Sequence, residues 1–288
     1  MAFTFLVWNV EKFKATSLAR IRTVAEHIAE DDPDVFCLLE FMGKSSALKP
    51  AQKRDAARRL ISEFFPNYNF GLTDSKQRIE ILVGWKPDVF DQVLYTQRRE
   101  FDPSKKSTLR PGALVSVREA GATAFHNLLF LHLHSGRDAQ AYKDRKEMFK
   151  RIIKLKNALG QIPIQGGNPR LIAMGDVNTM GRKGQANRPS ISAVAEVAEM
   201  TTTFNNANMN VLTKAFDRTF SNASGRLRSP LDHVIASDDL VFDAFTKPSV
   251  DNDPFEIDVR GWVDRTGNAR RGFIDNISDH CSLTGVVS

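Results

Sequence analysis

The sequence predicts an α/β domain that uses the whole chain, and three observations carry the prediction. In the first half, short apolar runs alternate with segments whose apolar residues recur at helical spacing. Six short polar motifs each stand at the end of such a run. The first lies at residue 8 and the last at residue 280, so one site drawing on both requires a single domain, 1–288.

The elements follow in order. Phe3 to Trp8 is a strand. Thr16 or Ser17 can cap a helix whose positions Leu18, Ile21, Val24 and Ile28 share a face. Pro33 ends that segment, and the apolar strand Asp34 to Phe41 carries Glu40 near its end. A second helix covers about 51–65, with Ala56, Leu60 and Phe64 on one side. Strands are expected at Ile79–Trp85, Phe90–Tyr95, Ala113–Arg118 and Phe125–His134. The longest helix runs from Asp138 to Leu159 and stops at Gly160. The second half reads as more β-rich, with strands at Arg170–Gly175, Asp232–Ala236, Leu240–Phe245 and Cys281–Val287. Gly181–Pro189 and Lys247–Ser278 read as irregular, the latter as a lid-like surface loop beside the site.

Composition narrows the class. A hydrophobic content of 42% with 26% charged residues is ordinary for a globular protein with a sizeable core. No apolar run approaches the ~20 residues of a membrane span. The chain passes from Met1 straight into a strand, without a basic region or small-residue cleavage site, so a cytosolic location is expected. Cys37 and Cys281 both sit in apolar stretches and read as reduced core residues. The net charge of +6 leans towards an anionic partner, and nothing predicts a protein partner.

The motifs read WNVE from Trp8, LLE from Leu38, LHLHS from Leu131, GDVN from Gly175, LDHV from Leu231 and SDH from Ser278. A half-buried strand has no structural use for Asn, Glu, Asp or His at its tip. Glu40, Asp176, Asp232 and Asp279 with Asn9, Asn178, His134 and His280 supply oxygen ligands for a hard divalent cation beside an acid/base pair. Asp176 and Asn178 lie two apart, so a locally extended chain would aim both to one side. Asp176 can then deprotonate water while Asn178 donates to a phosphoryl oxygen. His280 needs an orienting carboxylate, and Asp232 is the obvious donor. His233 reads as a spectator facing the other way. Of the two histidines in LHLHS, His132 lies deeper and reads as a core residue, and His134, at the tip, as the functional one.

Taken in order, the six motifs resemble the endonuclease/exonuclease/phosphatase superfamily over essentially the whole chain. The resemblance implies a four-layer α/β sandwich, two mixed β-sheets face to face with helices outside. It implies a phosphoester hydrolase using Mg²⁺ or Mn²⁺, with Glu40 as metal ligand assisted by Asn9 and Asp279. It places Asp176 on the attacking water, Asn178 and Arg110 on phosphate, and His280, oriented by Asp232, at the scissile group. Glu80 would orient His134. Abasic-site endonucleases carry a tyrosine where this chain has His134, which argues against that branch. The first expectation is a nuclease acting on DNA or RNA. The alternatives are a phosphatase or phospholipid diesterase on the same scaffold, and a non-catalytic binding module. Lys105, Lys106, Arg110, Arg137, Arg182, Lys183, Arg226, Arg228, Arg270 and Arg271 fall in predicted loops and would ring the site with positive charge.

Overall fold

The computed structural model describes residues 2–11, 18–41, 50–74, 79–101, 110–184, 189–222, 224–247 and 254–288. Thr16, Ser17, Lys105 and Lys106 lie outside these, as does the side chain of Ala56. The strands are β1 (Phe3–Asn9), β2 (Val35–Phe41), β3 (Asn69–Leu72), β4 (Glu80–Trp85), β5 (Phe90–Arg98), β6 (Gly112–Glu119), β7 (His126–His132), β8 (Leu171–Asp176), β9 (Met209–Val211), β10 (Phe220–Ser221), β11 (Arg228–Ser229), β12 (Asp232–Ser237), β13 (Asp258–Arg260) and β14 (Ser282–Val287). The helices are α1 (Leu18–Ala29), α2 (Pro50–Phe64), α3 (Ala139–Gly160), α4 (Ala193–Asn205) and α5 (Gly267–Asn276).

Two six-stranded mixed sheets form, ordered β13-β14-β1-β2-β4-β3 and β5-β6-β7-β8-β12-β9. Their central strands are the most apolar, because each is covered on both faces. Along β7 the side chains alternate. Leu128 and Phe130 join Val7, Cys37, Ile172 and Val234 between the sheets, and the same cluster continues on the far side of the first sheet with the apolar faces of α1 and α2. Leu129 and Leu131 instead pack with Phe149 of α3 and Met200 and Phe204 of α4. The result is helix, sheet, sheet, helix, the predicted four-layer sandwich.

Asp138 caps α3 by accepting from the amides of Gln140 and Ala141, which explains why that helix starts as the sequence predicts. Two expected segments come out differently, and β3, α4, β9, β10 and β11 form where no element was expected. Within Lys247–Ser278, read as irregular, stand β13 and α5. Leu240–Phe245 forms only isolated bridges, Phe242 to Val287 and Phe245 to Phe255, rather than a strand. Cys37 and Cys281 are free, buried thiols. Among the described residues no helix is long and apolar enough to cross a membrane.

Candidate active site

Sheet register converges the motifs on one edge of the sandwich. The parallel pair β1–β2 ends at Asn9 and Leu39, just before Glu40. In the facing sheet, the parallel pair β7–β8 brings His132 level with Asp176, and antiparallel β12 sets Asp232 opposite Asp176. Gly175 has φ +133°, and a Cβ there would drive into the carbonyl oxygen of Leu131. Any larger residue would therefore push β8 away from β7 just before Asp176.

Asp176 is the hub. Its Oδ2 accepts from Asn9 Nδ2 at 2.9 Å and lies 3.3 Å from His132 Nε2 and 3.9 Å from His280 Nε2. Its Oδ1 accepts from the Asn178 amide at 3.0 Å. Burial favours its neutral form, but the bond from His132, the positive charge of His280 and the bond from Asn9 prevail and hold its pKa down at about 2. His280 is tied through Nδ1 to Asp232 Oδ2 at 2.8 Å. Burial works against its charge, yet the Asp232 and Asp176 carboxylates overcome it and raise the imidazole to about 10. A fixed imidazolium thus faces a fixed carboxylate. Beneath them, Lys214 Nζ donates to the Asp232 carbonyl at 2.7 Å. His233, one residue on, points to the other face and bonds Thr179.

The remaining carboxylates are crowded. Glu40 lies 3.6 Å from His132 and takes a left-handed backbone, φ 59°. Asp279 Oδ1 is buried without a hydrogen-bond partner, 3.8 Å from His280. Burial raises the Asp279 carboxyl, His280 opposes the rise, and Glu11, Glu40 and Asp176 add to it, leaving it at about 7. An orphaned buried carboxylate oxygen on Asp279, under the charge of Glu40, has the chemistry of a hard-cation ligand, whereas the Asn9 amide oxygen already accepts from the Glu11 amide. Asp176, Asp232 and His280 also offer ligand atoms within 4.8 Å of one another. The bond between Asp232 and His280 already occupies that pair, so the group reads first as an acid/base chain.

The structure brings together Asn9, Glu40, Asp176, Asn178, Asp232 and His280 from the predicted set, with Asp279 beside them. Arg110 joins through a long-range attraction to Asp176 and Glu40 that partly offsets the cost of its burial. Arg110 Nη1 and Asn178 Nδ2 both donate to the Leu133 carbonyl, at 3.3 and 3.2 Å. Asn178 reaches that position through a left-handed turn, φ 56°, not through an extended chain. Strain of that kind concentrates at functional sites.

The LHLHS assignment is corrected. β7 stops at His132, and Leu133 N bonds the Asp176 carbonyl, so the chain turns before His134 can reach the tip. His134 swings onto α3 and bonds Asp144 at 2.9 Å. Glu80 does not orient it. Glu80 sits opposite Phe41 in the other sheet and accepts from Thr73. The missed residue is His132. Its signal is inward alternation with Leu128 and Phe130, which puts it on the inter-sheet face where Asp176 lies.

The profile of the endonuclease/exonuclease/phosphatase family matches residues 6–280. Members of this family are divalent-metal-dependent phosphoester hydrolases. No curated protein matches the chain. Among solved structures, TDP2 of D. rerio complexed with a single-strand DNA product is similar at 15% identity and TM-score 0.62, covering 100% of this chain and 99% of that one. TDP2 of C. elegans is similar at 14% identity and TM-score 0.60, covering 100% of this chain and 75% of that one. An endonuclease/exonuclease/phosphatase from Bacteroides vulgatus is similar at 12% identity and TM-score 0.62, with 100% and 99% covered. At such identities the likeness is one of fold, and the chain belongs to the endonuclease/exonuclease/phosphatase family.

Proposed function

We propose that this chain hydrolyses phosphodiester bonds of nucleic acid, with Mg²⁺ or Mn²⁺ held by Glu40 and Asp279 and assisted by Asn9. The observation that carries the reading is the opposition of Asp176 to His280, 3.9 Å apart and each fixed by its own partner. Asp176 orients water and takes its proton as the oxygen bonds to phosphorus. The bond from phosphorus to the leaving oxygen breaks, and that oxygen takes its electron pair and a proton from His280 or solvent. Asp232 holds the imidazolium in place, and Arg110 and Asn178 stabilise the phosphoryl oxygens. A bound divalent cation neutralises charge on the phosphoryl group. A polynucleotide substrate is supported by the net charge of +6 despite the carboxylates of the site, and by the single-strand DNA product held by a protein of the same fold.

The test is turnover on oligonucleotides, a small chromogenic diester, phosphomonoesters, inositol phosphates and sphingomyelin, with and without Mg²⁺ and with Glu40→Gln. Nucleic-acid cleavage that disappears in chelator and in Glu40→Gln is expected. Full activity in excess chelator sinks the metal assignment. Turnover of monoesters or lipid alone moves the substrate to the phosphatase or lipid-diesterase branch.

A further inference from the structure

Beside His280 lies a trough that none of the chemistry above employs. The β10–β11 hairpin pairs Ser221 with Arg228, and Phe220 packs its ring 5.1 Å from that of His280. Thr219 joins trough to site, because its hydroxyl accepts from the Asp232 amide at 3.0 Å and its carbonyl from Trp262 Nε1 at 3.2 Å. Arg228 and Arg270 bring their guanidinium groups 5.5 and 6.0 Å from the buried Trp262 ring, and Arg270 Nε also donates to the Trp262 carbonyl. These two arginines are shared by adjoining cavities of about 290 and 450 Å³, to which Arg218, Arg226 and Arg271 add their charge.

The trough is strongly basic, with five arginines in its lining against one carboxylate, Asp217. Arg271 sits 3.5 Å from Asp275. Among the described residues, no carboxylate forms an ion pair with Arg226, Arg228 or Arg270, and Arg228 Nε is buried without a hydrogen-bond partner. Guanidinium groups pre-ordered on an aromatic ring lose little freedom on meeting phosphate, whose oxygens match their fork. Trp262 is 2% exposed, so it is a floor for the arginines and not a platform for a base.

We propose that this trough binds the sugar-phosphate backbone of the nucleic-acid strand flanking the scissile phosphate, on the His280 side. The assignment rests on the phosphodiesterase reading and adds where the strand runs and how it is recognised. Contacts to phosphate alone position a strand without reading its sequence, so base composition has little effect.

Binding of a labelled thymidine oligonucleotide of about a dozen residues, within the range of common single-strand sites, is measured by anisotropy in EDTA across a salt series. Two full-length variants are compared with wild type, Arg228→Gln/Arg270→Gln and Arg226→Gln/Arg271→Gln. The second pair leaves the packing on Trp262 untouched and guards against misfolding of the first. Each pair should weaken binding about tenfold and lower the salt slope by ~1.4, two contacts at ~0.7 each for a single strand. Hydrolysis of bis(4-nitrophenyl) phosphate in Mg²⁺ should stay within about twofold for the Arg226/Arg271 pair, because a substrate this small does not reach contacts that only position a strand. Unchanged affinity and slope in both pairs overturn the subsite, whatever the enzyme cleaves. Equal losses on oligonucleotide and small diester also overturn it, by assigning the arginines a structural role. Binding to phosphatidylserine vesicles in preference to oligonucleotide overturns the strand as occupant. A wild type that binds oligonucleotide but hydrolyses no diester leaves the subsite standing and defeats the catalytic reading instead.

Discussion

The Arg145–Glu196 pair and the carboxylates at the strand tips both bury charge, but only in the first is every polar atom matched within the protein. Arg145 and Glu196 have no side-chain exposure. All five N–H donors of Arg145 are used, on both Glu196 oxygens and on the carbonyls of His134, Gly136 and Gly181. Glu196 also accepts from the Gly181 amide. The pair pins the loop after β7 to the loop after Asp176 and Asn178. At the strand tips, the charges of Glu40 and Asp176 bear on Asp279, whose Oδ1 has no partner. A fully matched buried pair holds a shape, and the partnerless buried oxygen of Asp279 can take a ligand.

The largest expected effect breaks the balanced side. Arg145→Met leaves Glu196 buried and alone, which should cost ~3–5 kcal/mol of unfolding free energy. Arg145→Met/Glu196→Leu should recover part of it, since no charge is left buried alone, while the carbonyls of His134, Gly136 and Gly181 and the Gly181 amide lose their partners. Urea denaturation at neutral pH reads both. A single variant as stable as wild type would mean that the pair is decoration.

On the other side, Asp176→Asn should cut turnover by ~10²-fold or more, the scale for a positioned acid/base group. The thermal midpoint should move little, because the amide keeps the shape while removing one of several crowded charges. Asp232→Asn should be milder, because it misorients His280 and does not delete it. A large fall in midpoint with Asp176→Asn would place that residue with Arg145 among the structural charges.

A third treatment of a buried titratable group is to keep it neutral. His27 is buried against Trp8, bonds Ser282 and has its pKa pushed down to about 3, first by burial and then by Arg260 and Arg265. The unfolded chain takes up a proton near pH ~6.5 while the folded one resists, so stability falls as pH drops from there towards 3. His27→Gln should remove on the order of 2 kcal/mol of that acid loss between about pH 6.5 and pH 4, after discounting the shift for residual solvation. Denaturation at the two pH values tests it, and an identical acid slope in the variant refutes it.

The contrast also explains what was legible in the sequence. Polar residues at the tips of apolar runs betray themselves, because a strand end has no structural use for them, and so Asn9, Glu40, Asp176, Asp232 and His280 could be read directly. His132 could not, because which of two alternating histidines ends the strand depends on the register with β8. α4 was hidden by the balanced pair itself. Its buried positions are Glu196, Met200 and Phe204, an apolar stripe whose first member is a carboxylate meaningful only once Arg145 is opposite. α5 begins at Gly267, contains Gly272 and buries only Phe273 and Ile274, too little periodicity to announce a helix. The four-layer order came from the motif resemblance, since alternation alone does not choose among α/β architectures.

The smallest expected effect tests the unbalanced side through stability alone. Asp279 has its carboxyl raised to about 7 by burial and by Glu11, Glu40 and Asp176, against the opposing pull of His280. Ionising it therefore costs the folded state, and stability falls as pH climbs from the unfolded value near ~4 through about 7. Asp279→Asn should raise the unfolding free energy of the metal-free protein at pH 8 by ~1 kcal/mol, well below the full shift because the side chain is 21% exposed and screened by solvent. Saturating Mg²⁺ should reverse the order, since the cation stabilises only the form that binds it and the wild type keeps the ligand. Chemical denaturation in EDTA and in excess Mg²⁺ gives the four values. A variant less stable than wild type in EDTA would show that Asp279 already has its partner within the protein, and the carboxylate cluster would then belong with the balanced charges.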